Sequence, residues 1–159
     1  MSETYEEILE GQKILRPPPG MRHEVICQRL HDCVRASVAD FTSTRLLERR
    51  TQVELSSETI VAPDLALVVA ATGKLWLAAE IVGTTDHRVD TVTKKEIYEQ
   101  MKLPRLWMVD PRYDNVEVYH ASEYGLVLKE ILAVREVLTE KSLPEFQMVI
   151  ADLFAAKPG

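Results

Sequence analysis

"LWLAAEIVGTTDHRVDTVTKKEIYEQ", residues 75–100, opens as a nearly unbroken apolar run and closes as a polar helical segment. The apolar part follows a turn, "ATGK" (71–74), and reads as a buried strand. Beyond the helix, "RLWMVDP" (105–111) is a second buried strand, stopped at Asp110-Pro111. A strand, a helix and a strand joined by short connections predict a right-handed parallel crossover. One residue does not suit that reading. Glu80 is a carboxylate inside the first strand, and burying an ionised carboxylate costs several kcal/mol unless something neutralises it. That is on the order of a small domain's whole stability, about 5–15 kcal/mol. Glu80 therefore needs a partner.

The chain offers two. Asp64 follows Pro63 at the start of "LALVV", at a distance suited to neighbouring strands joined by a hairpin. Lys94 lies near the start of the helix after the Glu80 strand. Two carboxylates on adjacent strands form a hard-oxygen pair of the kind Mg²⁺ prefers. A lysine beside them can hold or activate an attacking water, an arrangement suited to phosphodiester hydrolysis. Spacing alone leaves a second reading open, in which Asp64 caps a strand and Glu80 and Lys94 form a structural ion pair.

Outward from this centre, "RPPPG" (16–20) is the one strong breaker and separates an N-terminal arm from a long helix over 22–41. Ile26, Leu30, Cys33, Val34 and Phe41 give that helix a near-3.6 period, with His23 in its first turn. "RTQVELS" and "IVAPDLALVV" read as strands around a turn at 56–59, the second kinked at its proline. In the segment from Asp90 to Met101, Val92, Ile97, Tyr98 and Met101 form the expected inward face. "NVEVYHA" and "GLVLKEI" predict a hairpin, a strand follows near 135–139, and "VIADLFAA" ends as a short helix. The expected architecture is α/β: a mixed sheet with an antiparallel meander and one βαβ crossover, flanked by helices, in one domain over residues 1–159.

With 159 residues the chain is long enough for a sizeable core. No run reaches the roughly 18 apolar residues of a membrane span. "MSETYEEILEG" has neither the basic start nor the apolar centre of a signal peptide, so the expected location is cytoplasmic. Cys27 and Cys33 match neither a zinc-binding nor a redox spacing and read as reduced thiols. A net charge of −6 argues against a general basic surface for nucleic acid, though not against a local groove beside an acidic site.

The motifs together resemble the Uma2 family of restriction-endonuclease-like proteins, within the PD-(D/E)XK nuclease superfamily. Pro63-Asp64, Glu80-Ile81, the spaced series Asp90, Lys94, Tyr98, and Pro104 with Trp107-Met108-Val109-Asp110-Pro111 carry the likeness. "EILEG" and "PPGMRH" extend it upstream, adding Glu7 and His23. The resemblance implies a restriction-endonuclease-like core and a Mg²⁺- or Mn²⁺-dependent endonuclease acting on nucleic acid, with DNA the expected substrate and a homodimer the expected assembly. It makes Asp64 and Glu80 metal ligands, completed by the Ile81 carbonyl, and Lys94 the catalytic lysine. Glu7 and His23 become a second ligand and a phosphate or water contact. In the wider superfamily the lysine stands two residues after the glutamate, where this chain has Val82. The family's Ser-Pro-Ser/Thr segment is replaced here by "GTT" (83–85). The alternative is an inactive nuclease fold kept as a dimeric interaction module.

Remaining polar residues are expected in lesser roles. His87 and Asp86 read as a solvated loop pair, His31 and His120 as surface or rim residues, and Asp110 as a strand-end turn. Tyr98 and Trp107 read as packing. Arg45, Arg49 and Arg50 read either as a phosphate path or as a solvated strand face.

Overall fold

A computed structural model of the chain describes residues 3–156. The arm is a hairpin of β1 (Tyr5–Leu9) and β2 (Gln12–Arg16). Glu10 and Gly11 turn it with φ of 53° and 81°, the two-residue geometry that matches strand twist. The prolines after Arg16 cannot extend the ladder, and α1 (Met21–Val38) begins directly behind Gly20. It buries Ile26, Cys27, Leu30, Val34 and Val38 at helical spacing. The helix stops three residues before the expected Phe41, because the chain must turn there to pair β3 (Thr44–Leu46).

β4 (Val53–Ser56) and β5 (Thr59–Val61) form the next hairpin, and Ala62-Pro63-Asp64 bends the chain into β6 (Leu65–Val69). β7 (Leu75–Ile81) pairs antiparallel with β6. The crossover then runs through a π-helical turn, Val89–Lys94, continued by α2 (Lys95–Gln100), to β8 (Arg105–Asp110). β7 and β8 are parallel, as the crossover predicts. β9 (Asn115–Ser122) and β10 (Gly125–Ala133) complete a mixed six-stranded sheet ordered β10-β9-β8-β7-β6-β3. β11 (Val137–Glu140), β12 (Leu143–Val149) and α3 (Ile150–Phe154) follow. β2, β1, β5 and β4 make a second sheet.

Strand alternation sorts the core into two faces. Leu77, Ala79 and Ile81 of β7 pack with α1 residues, Trp107 and Phe146. Ala78 and Val82 pack on the opposite side with Ile97, Tyr98 and Leu106. Glu80 belongs to this second face, toward α2.

The π turn departs from the expected helix. Its i→i+5 bonding inserts an extra residue and rotates the inward stripe. Val92 and Met101, expected inside, are 41% and 42% exposed, and Asp90 and Lys94 are buried instead beside Ile97 and Tyr98. No helix among the described residues is long and apolar enough to cross a membrane.

Candidate active site

Glu80 finds its partners on the helix. Lys94 Nζ lies 2.6 Å from Glu80 Oε2 and 2.6 Å from Glu7 Oε2, in ion pairs too bent to be good hydrogen bonds. Tyr98 donates its hydroxyl to the same Glu80 oxygen at 2.5 Å. Tyr98 is thus more than packing: one turn beyond Lys94, it fixes the orientation of Glu80. Glu7 also accepts from Arg16 at 2.5 Å and from the Ala62 amide at 2.7 Å.

Asp64 sits beside this triad. The register Leu65↔Ala79 continues to place Asp64 opposite Glu80 on the neighbouring strand. The bend at Pro63 leaves its carboxylate at the sheet end, within reach of α1. Oδ1 pairs with His23 Nε2 and with Arg50 Nη1, each at 2.9 Å, and Oδ2 accepts from the Ile81 amide at 2.8 Å. His31, expected on the surface, is buried, with Nε2 2.7 Å from the Asp64 carbonyl. Its place on the inner side of α1 and that backbone acceptor account for the difference. Arg50 is on no strand face; it is a turn residue at φ 57° that divides its guanidinium between Asp64 and Glu24. Of the lesser residues, Trp107 stacks on Phe146 at 5.2 Å in the core. Asp110 accepts from the Arg112 amide and guanidinium at the strand end.

Two site residues, Arg16 and Asp90, receive no role in the sequence reading. Arg16, the first letter of the breaker motif, is 2% exposed and bridges Glu7 (2.5 Å), Asp86 (2.7 Å) and Asp90 (3.0 Å). Asp86 is therefore paired with Arg16 and not with His87. Asp90 holds the Gly83 amide at 3.3 Å as well, which ties the loop after Glu80 to the π turn. The spacing of Asp90, Lys94 and Tyr98 along the helix was the available signal: four-residue steps that put all three on one face.

Four buried carboxylates, Glu7, Asp64, Glu80 and Asp90, face two fully buried cations, Arg16 and Lys94. Burial and unequal partners, with His23 and Arg50 beside Asp64, separate the carboxylates in character. Burial, aided by Asp90, Glu7 and Asp64, pushes Glu80 up to about 8 against the pull of Lys94. Asp90 rises to about 6 through burial, against the pull of Arg16. Asp64 goes the other way: His23, the Ile81 amide and Arg50 outweigh burial and hold it well below the usual carboxylate range. Glu7 is also lowered, by Lys94 and the Ala62 amide, despite burial. Burial opposes the charge on Lys94, but Glu80 and Glu7 raise it above the usual lysine value. Asp64 likewise outweighs burial to raise His23.

Hard oxygens in excess of internal cations suit Mg²⁺ or Mn²⁺. Among the described residues no group of three or more acidic, His or Cys side chains is placed to hold a metal ion. Asp64 and Glu80, on neighbouring strands, are the carboxylate pair that could hold such an ion, with waters and phosphate oxygens completing its shell.

A mixed sheet with one parallel crossover and a buried carboxylate–lysine centre at its strand ends defines a nuclease-type α/β protein. The structure is similar to that titled a "putative nuclease belonging to DUF820" from Anabaena variabilis. The two share a TM-score of 0.78 and 17% identity over 94% of this chain and 89% of that one. The chain belongs to the Uma2 family, described as "Putative restriction endonuclease", whose model matches residues 2–152. No curated protein matches it.

Proposed function

We propose that this chain is a metal-dependent nuclease that hydrolyses phosphodiester bonds, with DNA as substrate. The observation that carries the reading is the Lys94 ammonium, 2.6 Å from Glu80, on a helix that follows the Glu80 strand and beside Asp64 on the next strand. Asp64 and Glu80, with the Ile81 carbonyl, would hold Mg²⁺ or Mn²⁺. When bound, such an ion supplies Lewis-acid stabilisation of charge on the phosphoryl oxygens.

The chain's own residues divide the remaining work. Lys94, kept protonated by its two carboxylates, is a donor that orients the attacking water and steadies developing charge. It is not the base. Tyr98 restrains Glu80 through its hydroxyl, and His23 restrains Asp64 from the first turn of α1. Glu7 shares Lys94 with Glu80 and so sets where the ammonium rests.

A second reading, an inactive nuclease fold used for interaction, draws support from one observation. Each buried carboxylate already has an internal cation, and Lys94 has no solvent exposure. Hydrolysis of supercoiled plasmid and of single-stranded DNA in Mg²⁺ separates the two. Cleavage lost in Glu80→Ala supports the nuclease; no cleavage of either DNA by folded, metal-loaded protein supports the inactive fold.

A further inference from the structure

A cavity of about 420 Å³ opens beside Glu7, Asp64, Glu80 and Asp90 without being lined by them, and Asp86 stands on its wall. Arg16 and His23 line it, and these are the residues that cover Glu7 and Asp64. Val82, two residues beyond Glu80, lines it too. Pro17, Pro18 and Met21 supply apolar wall, and the loop at Thr84 supplies hydroxyls. Polar contacts at the bottom and flat apolar surface above make a bipartite pocket, small within the roughly 300–1,000 Å³ of small-ligand sites.

Such a space suits one nucleotide and not a duplex. Asp64, Glu80 and Lys94 are at most 2% exposed. A phosphate on the outside of a paired helix stays at the protein surface, whereas a nucleotide free of its stack can enter a pocket. We propose that this cavity receives a single unpaired nucleotide of the substrate strand, its phosphate toward Arg22 and His23 and its base against Pro17, Pro18 and Met21. The substrate class is then single-stranded or locally unpaired nucleic acid. The inference rests on the nuclease reading and narrows it.

Gly20 provides a means of filling the cavity. It lines the pocket, its φ of −73° suits any residue, and an added Cβ would meet nothing within 4 Å. Thr84, exposed on the other wall, offers a second plug. The test measures binding of a short fluorescein-labelled oligothymidylate to the full chain in chelator, where no cleavage occurs. Unlabelled single strand should displace it at least about ten-fold better than relaxed, covalently closed duplex at equal nucleotide concentration. Gly20→Trp and Thr84→Trp should each weaken binding by about ten-fold or more with unchanged melting. Equal competition by closed duplex, or wild-type affinity in both tryptophan variants, overturns the proposal. Tight oligothymidylate binding without cleavage in Mg²⁺ supports the pocket and removes the nuclease reading. Duplex cleavage undiminished in both variants removes the pocket and keeps the nuclease.

Discussion

Lys94 and Glu80 meet at 2.6 Å inside the protein, although one stands on the π turn and the other on β7. The contact does not discharge the site, because Glu7 claims the same ammonium at 2.6 Å. Glu80 is thus a buried carboxylate with half a cation.

That predicts an unusual pH dependence of stability in chelator. Glu80 is raised to about 8 from an ordinary value near 4.5. The folded state therefore binds its proton more tightly than the unfolded state does. The resulting stability is complete below the unfolded value and is lost as pH rises through about 8. Glu80→Gln keeps the shape and removes the charge. Melting of the wild type should fall more steeply than that of Glu80→Gln between pH 6 and pH 9. Parallel curves would show that Glu80 is ionised throughout and fully served by Lys94.

Metal should reverse the penalty. Two neighbouring carboxylates repel until a cation bridges them. Millimolar Mg²⁺ or Mn²⁺ should raise the melting temperature, by the equivalent of about 2.7 kcal/mol where the ion stands at 100 times its dissociation constant. The rise should be larger at pH 8.5 than at pH 6.5, since a proton on Glu80 competes with the ion. Glu80→Gln should abolish it. Wild-type melting indifferent to both metals would count against a competent site.

Asp64 should behave oppositely to Glu80 despite the shared chemistry. Its carboxylate is held by His23, Arg50 and the Ile81 amide and lies well below its ordinary value. Its contribution is present above the unfolded value and is lost as pH falls toward the folded one. Asp64→Asn removes one partner of a buried charge pair, a loss of about 3–5 kcal/mol. Urea unfolding at neutral pH, in chelator, should show that loss for Asp64→Asn and little or none for Glu80→Gln. Equal losses would mean that the two carboxylates share one environment.

The contrast marks how far the sequence reaches. Glu80 was legible because a charge interrupts an apolar run, and the crossover around it followed from strand, helix and breaker signals. Its neighbour Asp64 was legible from the bend that Pro63 forces. Arg16 was not legible, because two of its three acidic partners, Asp86 and Asp90, come from elements distant in the chain and reach it only in the tertiary fold. Asp90 and Lys94 point inward through a π turn that has no compositional signature, so a regular helix wrongly put Val92 inside. β12 is absent from the expected strands: "LPEFQMV" has a proline at its second position, and the exposed Pro144, Glu145 and Gln147 interrupt its apolar residues.

The last prediction tests whether Lys94 on the helix and a lysine placed at position 82 address one catalytic point. Glu80 and Val82 are two apart on β7 and its extension, and Val82 packs on the Glu80 face with Tyr98 and Ile97. Val82 also lines the cavity, so a longer side chain there has space to adjust. Lys94→Ala should abolish cleavage, and it leaves Glu7 and Glu80 facing each other without their shared cation. Adding Val82→Lys should restore a measurable part of the activity. Burying a lysine where valine packed costs about 1–3 kcal/mol, so rates should be compared only at a folded fraction confirmed by melting. A folded double variant that binds metal and does not cleave would mean that positions 82 and 94 do not address one catalytic point. Full activity in Lys94→Ala alone would remove Lys94 from the chemistry and leave it as the counter-ion that allows Glu80 to be buried.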